Sequence, residues 1–121
     1  MELTKDMQRL VNFIKSCGWW VQEEDIDEEY TILLFGKYSP AGIYFSISVE
    51  AEENSGDSFL DNLYETYSNF DVSYETYIWL DSSGHGKDSA PYDMKDLYED
   101  MEWCQEEMLK LWRYLNGVFR D

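Results

Sequence analysis

His85, the only histidine in the chain, sits between Gly84 and Gly86, with Asp81 and Asp88 close by in sequence. Imidazole is the side chain whose charge changes near neutral pH, so a histidine on a glycine-flanked loop beside carboxylates is a candidate general base or metal ligand. The sequence offers it no companion: there is no second histidine and no cysteine nearby, whereas hydrolytic zinc takes about three protein ligands. GHGK over residues 84–87 is far short of the phosphate loop G-x-x-x-x-G-K-S/T, because Asp88 follows the lysine. The acidic run over residues 25–29 lacks the glycine and register of an EF-hand calcium loop. These patterns predict no catalytic residue, no metal and no cofactor. His85 and Lys87 remain as candidate loop contacts with a partner, set against a purely structural role for the loop.

A second constellation lies further along the chain. Projected at 100° per residue, Asp93, Asp96, Asp100 and Glu107 form one row, Glu99, Glu102 and Glu106 another, and Trp103 stands between them. Its neighbours three and four residues away are Glu99, Asp100, Glu106 and Glu107. An indole ringed by carboxylates on the expected solvent side has two readings: a binding anchor, or a ring buried against another element. The candidate partner-binding surface is Asp96, Glu99, Asp100, Trp103, Glu106 and Glu107. Carboxylates at this spacing approximate the charge lattice of a nucleic-acid duplex, which carries a phosphate about every 1.7 Å of axis.

The overall charge supports such a surface. Among 121 residues, 26 acids against 9 bases give a formal charge of −17, well beyond the magnitude of about 2 to 8 usual for a small domain. Residues 1–22 carry +1, so residues 23–121 carry −18. This field repels nucleic acid and anionic membrane and attracts basic surfaces. A merely soluble or halophilic acidic protein is the plainer reading of the same numbers. The six acids among residues 23–29 read either as a solvated hairpin loop or as an acidic finger. Cys17 and Cys104 have neither metal-ligand spacing nor disulfide density and fall on apolar stripes, so both are expected as buried thiols. No signal-like N-terminus and no long apolar run is visible, which predicts a cytoplasmic protein with no membrane partner.

The elements that must carry these groups are readable from periodicity. Leu3, Met7, Leu10, Val11, Ile14 and Cys17 predict a helix over residues 2–17, closed by Gly18. Trp19, Trp20 and Val21 open a strand in which one indole packs inward and the other is exposed. Residues 30–35 form a short apolar strand, and Ile43, Phe45, Ile47 and Val49 alternate with polar residues in a third. Phe59, Leu60, Leu63, Tyr64 and Tyr67 predict a helix over residues 57–68, with Ser58 and Asp61 in a capping-box-like relation. Residues 74–80 alternate as a fourth strand, and SSGHGKDSAP then forms a loop. Asp93 caps a final helix of roughly 25 residues. The expectation is a single α+β domain over residues 1–121 in the order α-β-β-β-α-β-α: an antiparallel meander sheet covered by helices, including a long acidic C-terminal one. Its expected core includes Leu10, Ile14, Phe45, Ile47, Leu63, Ile78, Leu97, Met101, Met108 and Leu115.

The segment GHGKDSAPYDMKDLYEDMEWC, preceded by FDVSYETYIWLDS, resembles small acidic proteins encoded by bacteriophages and conjugative elements of Gram-positive gut bacteria. The resemblance covers about residues 70–110 and implies no activity. The wider class of compact acidic mobile-element proteins includes anti-restriction and anti-CRISPR inhibitors, several of them DNA-like in charge. The expected function is therefore that of an acidic inhibitor, not an enzyme, that engages a basic surface of a nucleic-acid-binding enzyme or effector. The alternative is an interaction module without nucleic-acid mimicry.

Overall fold

In the computed structural model, residues 2–120 are described except Ser89, as are all their side chains except those of Glu23 and Glu24. The chain opens with α1 (Lys5–Ser16), whose Thr4 hydroxyl accepts a hydrogen bond from the Met7 N–H and satisfies one of the free donors of the first turn. Met7, Leu10, Val11 and Ile14 form its buried stripe, and Gly18 reverses the chain at φ +86°, a backbone region that favours glycine.

Three strands follow: β1 (Trp20–Ile26), β2 (Tyr30–Tyr38) and β3 (Tyr44–Glu52), paired antiparallel in the order β1-β2-β3. The register sets Val21 opposite Phe35 and Phe35 opposite Ile47, with a bulge in β1 between Val21 and Glu23. Thr31, Leu33, Phe35, Phe45, Val49 and Ala51 are buried on the inner face. Trp19 is buried and Trp20 exposed, as adjacent positions on a pleat require. The acids of residues 23–25 belong to strand β1 and not to a loop; the turn proper is residues 27–29.

Helix α2 (Gly56–Ser68) is capped by Ser55, which accepts from the Ser58 N–H. The expected capping role of Ser58 is thus corrected, since its hydroxyl instead accepts from the Glu52 N–H at 2.9 Å. The main departure comes next. Residues 74–80 are not a fourth strand; residues 72–78 form a short helix, α3 (Val72–Ile78), capped by Asp71. Val72, Thr76 and Trp79 face inward at spacings of four and three, and this helical phase overrides the alternation of Thr76, Ile78 and Leu80. Ile78 is consequently 41% exposed rather than in the core. The observed order is α-β-β-β-α-α-α.

Asp93 caps α4 (Met94–Phe119), accepting from the Lys95 N–H at 2.8 Å. The helix spans about 39 Å and packs against α1, α2 and α3. Leu97, Met101, Cys104, Met108, Leu111 and Leu115 form its buried stripe. Leu10, Ile14, Leu63 and Phe45 join the same core, while Ile47 is only half-buried. The fold is α+β, with a meander sheet backed by helices and a long C-terminal helix. No helix among the described residues is long and apolar enough to cross a membrane.

Candidate partner-binding surface

The carboxylates of α4 separate into two populations. Asp96, Glu99, Glu102 and Glu106 are exposed. Asp100 and Glu107 are not on the solvent side, contrary to the sequence expectation. Asp100 is buried beneath the β2–β3 turn, where its Oδ1 accepts from the Ala41 N–H at 3.3 Å. Glu107 turns toward β2 and pairs with Lys37 Nζ at 2.8 Å and Lys110 Nζ at 3.1 Å. Burial alone would raise the Glu107 pKa, but hydrogen bonds from the two lysines outweigh it and hold the carboxyl below its ordinary value.

Trp103 follows Glu107 inward. It is half-buried against the core, and the Lys37 ammonium lies 5.7 Å from the centre of its ring and 5.2 Å from that of Trp19. The indole ringed by carboxylates is therefore half-buried over the Lys37 ammonium, with part of the ring left at the surface. The exposed stripe of α4 interleaves Glu99, Glu102 and Glu106 with Lys95, Lys110 and Arg113, so it is not an unbroken acidic row.

The strongest concentration of uncompensated charge lies elsewhere. At the β1–β2 turn, Glu28, Glu29, Glu50, Glu52 and Glu53 converge with Tyr30 around a shallow concavity. Asp25 and Asp27, with partial desolvation and Glu50 adding to them, push the Tyr30 phenol above its ordinary value. The signal was present in the acidic run of residues 23–29, but β3 had to be paired in register to bring Glu50 and Glu52 beside it.

His85 and Lys87 have local roles. Asp81 Oδ1 accepts from the Ser83 hydroxyl at 2.6 Å, the Ser83 N–H at 2.8 Å and the His85 N–H at 3.1 Å. These bonds lower the Asp81 pKa, the Ser83 hydroxyl contributing most. An ionised carboxylate can only accept, so the Ser83 proton points to Asp81, and the 2.9 Å contact between Ser83 Oγ and His85 Nδ1 is donated by the imidazole. The Asp–Ser–His sequence is thus wired the wrong way for a histidine base activating a serine nucleophile. The imidazole stacks on Tyr92 at 4.0 Å. Lys87 Nζ donates to the Ile78 carbonyl at 2.9 Å, where it complements the C-terminal end of α3. No group of three or more His, Cys, Asp or Glu among the described residues is placed to hold a metal.

Exposed tyrosines are a further feature that sequence reading passed over. Tyr74, Tyr77, Tyr92 and Tyr98 project from α3, the loop and α4, and Tyr77, Leu80, Met94 and Tyr98 line an apolar cavity of about 500 Å³. In FDVSYETYIW, Tyr74 and Tyr77 fit the alternation of a strand as well as a helical face, while Tyr92 and Tyr98 come from the segment that follows. No family model, characterised protein or solved structure matches the chain.

Proposed function

We propose that this chain is a small acidic binding protein that docks on a basic surface of another protein, and that a nucleic-acid-handling enzyme or effector is the class of partner its charge fits best. One observation carries the reading. Between Lys15 and Lys87 the sequence holds fifteen acidic residues and a single basic one, Lys37, and that lysine is spent inside the fold on Glu107. In α2, Asp57 and Asp61 are paired with Arg120 from the end of α4, but the sheet presents a field with almost no internal compensation, which speeds encounter with cationic surfaces and disfavours anionic ones. A phage or mobile-element inhibitor of anti-restriction or anti-CRISPR type is the biological form of this proposal. The contact surface shifts from the α4 rows to the β1–β2 turn and the β3 acids, with Glu99, Glu102 and Glu106 as a secondary patch.

Capture from host lysate at low salt, followed by kinetics with the purified partner, tests this. Association should slow steeply as salt rises, because exposed charges are screened within about 8 to 10 Å, and nucleic acid should compete for the partner. Replacing Glu28, Glu29, Glu50, Glu52 and Glu53 by glutamine should slow association further. Salt-independent binding with full affinity in that variant would overturn the reading. It would favour an interaction module without mimicry, for which the exposed Tyr74, Tyr77, Tyr92 and Tyr98 are the natural contacts.

A further inference from the structure

Strand β3 is the outer strand on the side of the sheet away from β1, and its outer edge is treated differently along its length. The Ser39 N–H donates to the Ile43 carbonyl at 2.8 Å, which sets the phase of the ladder. Phe45, Ile47, Val49 and Ala51 turn their backbone groups to β2, while Tyr44, Ser46, Ser48, Glu50 and Glu52 turn theirs outward. At the C-terminal end this edge is covered by α2: the Ser58 hydroxyl accepts from the Glu52 N–H at 2.9 Å, and the Asn62 amide donates to the Glu50 carbonyl at 2.8 Å. The outward groups of Tyr44, Ser46 and Ser48 have no backbone partner among the described residues.

A groove of about 430 Å³ lies beside them, with Tyr44, Phe45 and Ser46 on one wall and Glu75, Ile78 and Trp79 on the other. Tyr44 and Phe45 point to opposite faces of the sheet, so a groove touched by both runs along the strand's edge and not over either face. Had residues 74–80 formed a fourth strand, they could have closed this edge. As a helix, α3 packs on α4 instead and leaves a channel between itself and β3. Glu75 is half-buried on the channel wall, and no ion pair or hydrogen bond engages its carboxylate among the described residues. Burial, with Asp71 adding to it, raises its pKa, the mark of a carboxylate that lacks a cation. Lys87, at the same groove, is already held by the Ile78 carbonyl.

We propose that β3 takes up an extended segment of a partner polypeptide as a fourth strand along residues 44–48, with a Lys or Arg side chain of that segment set against Glu75. The unpaired backbone supplies directional hydrogen bonds, and the groove supplies an apolar wall and one half-buried acceptor for a cation. This goes beyond the long-range field described above and fails separately from it, since backbone pairing needs N–H groups that charge alone does not.

Two synthetic ten-residue peptides of equal charge make the test: one alternates valine and lysine, the other proline and lysine, the latter having half its N–H groups removed. At physiological salt the valine peptide should bind about tenfold or more tightly, the worth of one or two net hydrogen bonds. Its binding should slow amide exchange at Ser46 and Ser48. Ser46→Pro removes an outward N–H without touching the β2 ladder and should weaken binding, as should Glu75→Gln. Equal affinity of the two peptides, or no added protection at Ser46 and Ser48 in the unaltered protein, would overturn strand addition. Equal but salt-sensitive affinities would do so while leaving the electrostatic proposal standing. The exchange measurement uses the unaltered chain, so the outcome does not depend on whether Ser46→Pro folds.

Discussion

Lys37 Nζ lies 2.8 Å from Glu107 Oε1, and the two side chains are only 18% and 12% exposed. The pair ties the end of β2 to the middle of α4, and the ammonium rests between the rings of Trp19 and Trp103. In so acidic a chain, this cation serves the fold and not the surface.

Lys37→Met should therefore destabilise the protein even though it makes the surface no more crowded with cations or anions. The expected loss is about 2 kcal/mol, short of the 3–5 kcal/mol typical of a fully enclosed pair, because Lys110 still reaches Glu107. Denaturant titration measures it, and an apolar replacement at both Lys37 and Glu107 should recover much of the loss. An unchanged midpoint for Lys37→Met would show the pair to be ornamental.

The same pair predicts a pH dependence. The Glu107 pKa is held below its ordinary value of 4.5 in the folded protein, so in the window beneath 4.5 the unfolded chain binds more protons. The carboxylate's contribution is fully present above 4.5 and is lost as pH falls through the folded value. The stability gap between wild type and Glu107→Gln should accordingly be largest near neutrality and shrink on acidification below 4.5. A gap that widens in acid would contradict the assignment.

Leu97→Ala and Leu115→Ala should each cost about 2 to 5 kcal/mol, as large-to-small changes in a closed core do, because both side chains are fully buried. Ile78→Ala should cost less than about 1 kcal/mol, since Ile78 is on the outer side of α3. Melts of all three distinguish helix from strand at residues 72–78: a strand would rank Ile78 with the core.

Trp103→Ala should lower the melting temperature, while Glu99, Glu102 and Glu106 replaced together by glutamine should leave it nearly unchanged. The indole covers the core and Lys37, whereas the three glutamates are exposed, and such surface changes are usually within about 0.5 kcal/mol. Calorimetry of the two variants decides it. A Trp103→Ala protein as stable as wild type would return the indole to the list of binding anchors.

Burial, with Asp100 and Glu107 adding to it, pushes the Cys104 thiol up to about 12; Cys17 is only half-buried, not the buried thiol its stripe predicts, and partial burial raises its pKa. Since the thiolate is the reactive form, Cys104 should resist a thiol reagent at pH 8 in the native protein and react at once in denaturant. Mass-spectrometric counting of labelled sites follows both. Rapid native labelling of Cys104 would mean that the α4 stripe opens readily.

Much of the architecture was legible from local pattern. The stripes of α1 and α4, the reversal at Gly18, the cap at Asp93 and the inward and outward indoles of Trp19 and Trp20 each depend on residues within a turn or two of one another, where periodicity and capping chemistry act directly. Residues 72–80 were not legible in this way. Over so short a span, Thr76, Ile78 and Leu80 satisfy a period of two while Val72, Thr76 and Trp79 satisfy a helical one, and only the packing of α3 on α4 chooses between them. The candidate site divides along the same line. Composition and order along the chain determined that the protein is strongly acidic and that Lys37 is the one lysine or arginine from residue 16 to residue 86. Whether a given carboxylate meets water or a lysine, and whether the edge of β3 is covered, was decided by the tertiary structure, because burial is set by neighbours tens of residues away: Lys37 draws Glu107 inward, the turn carrying Ala41 closes over Asp100, and α3 stands off from β3.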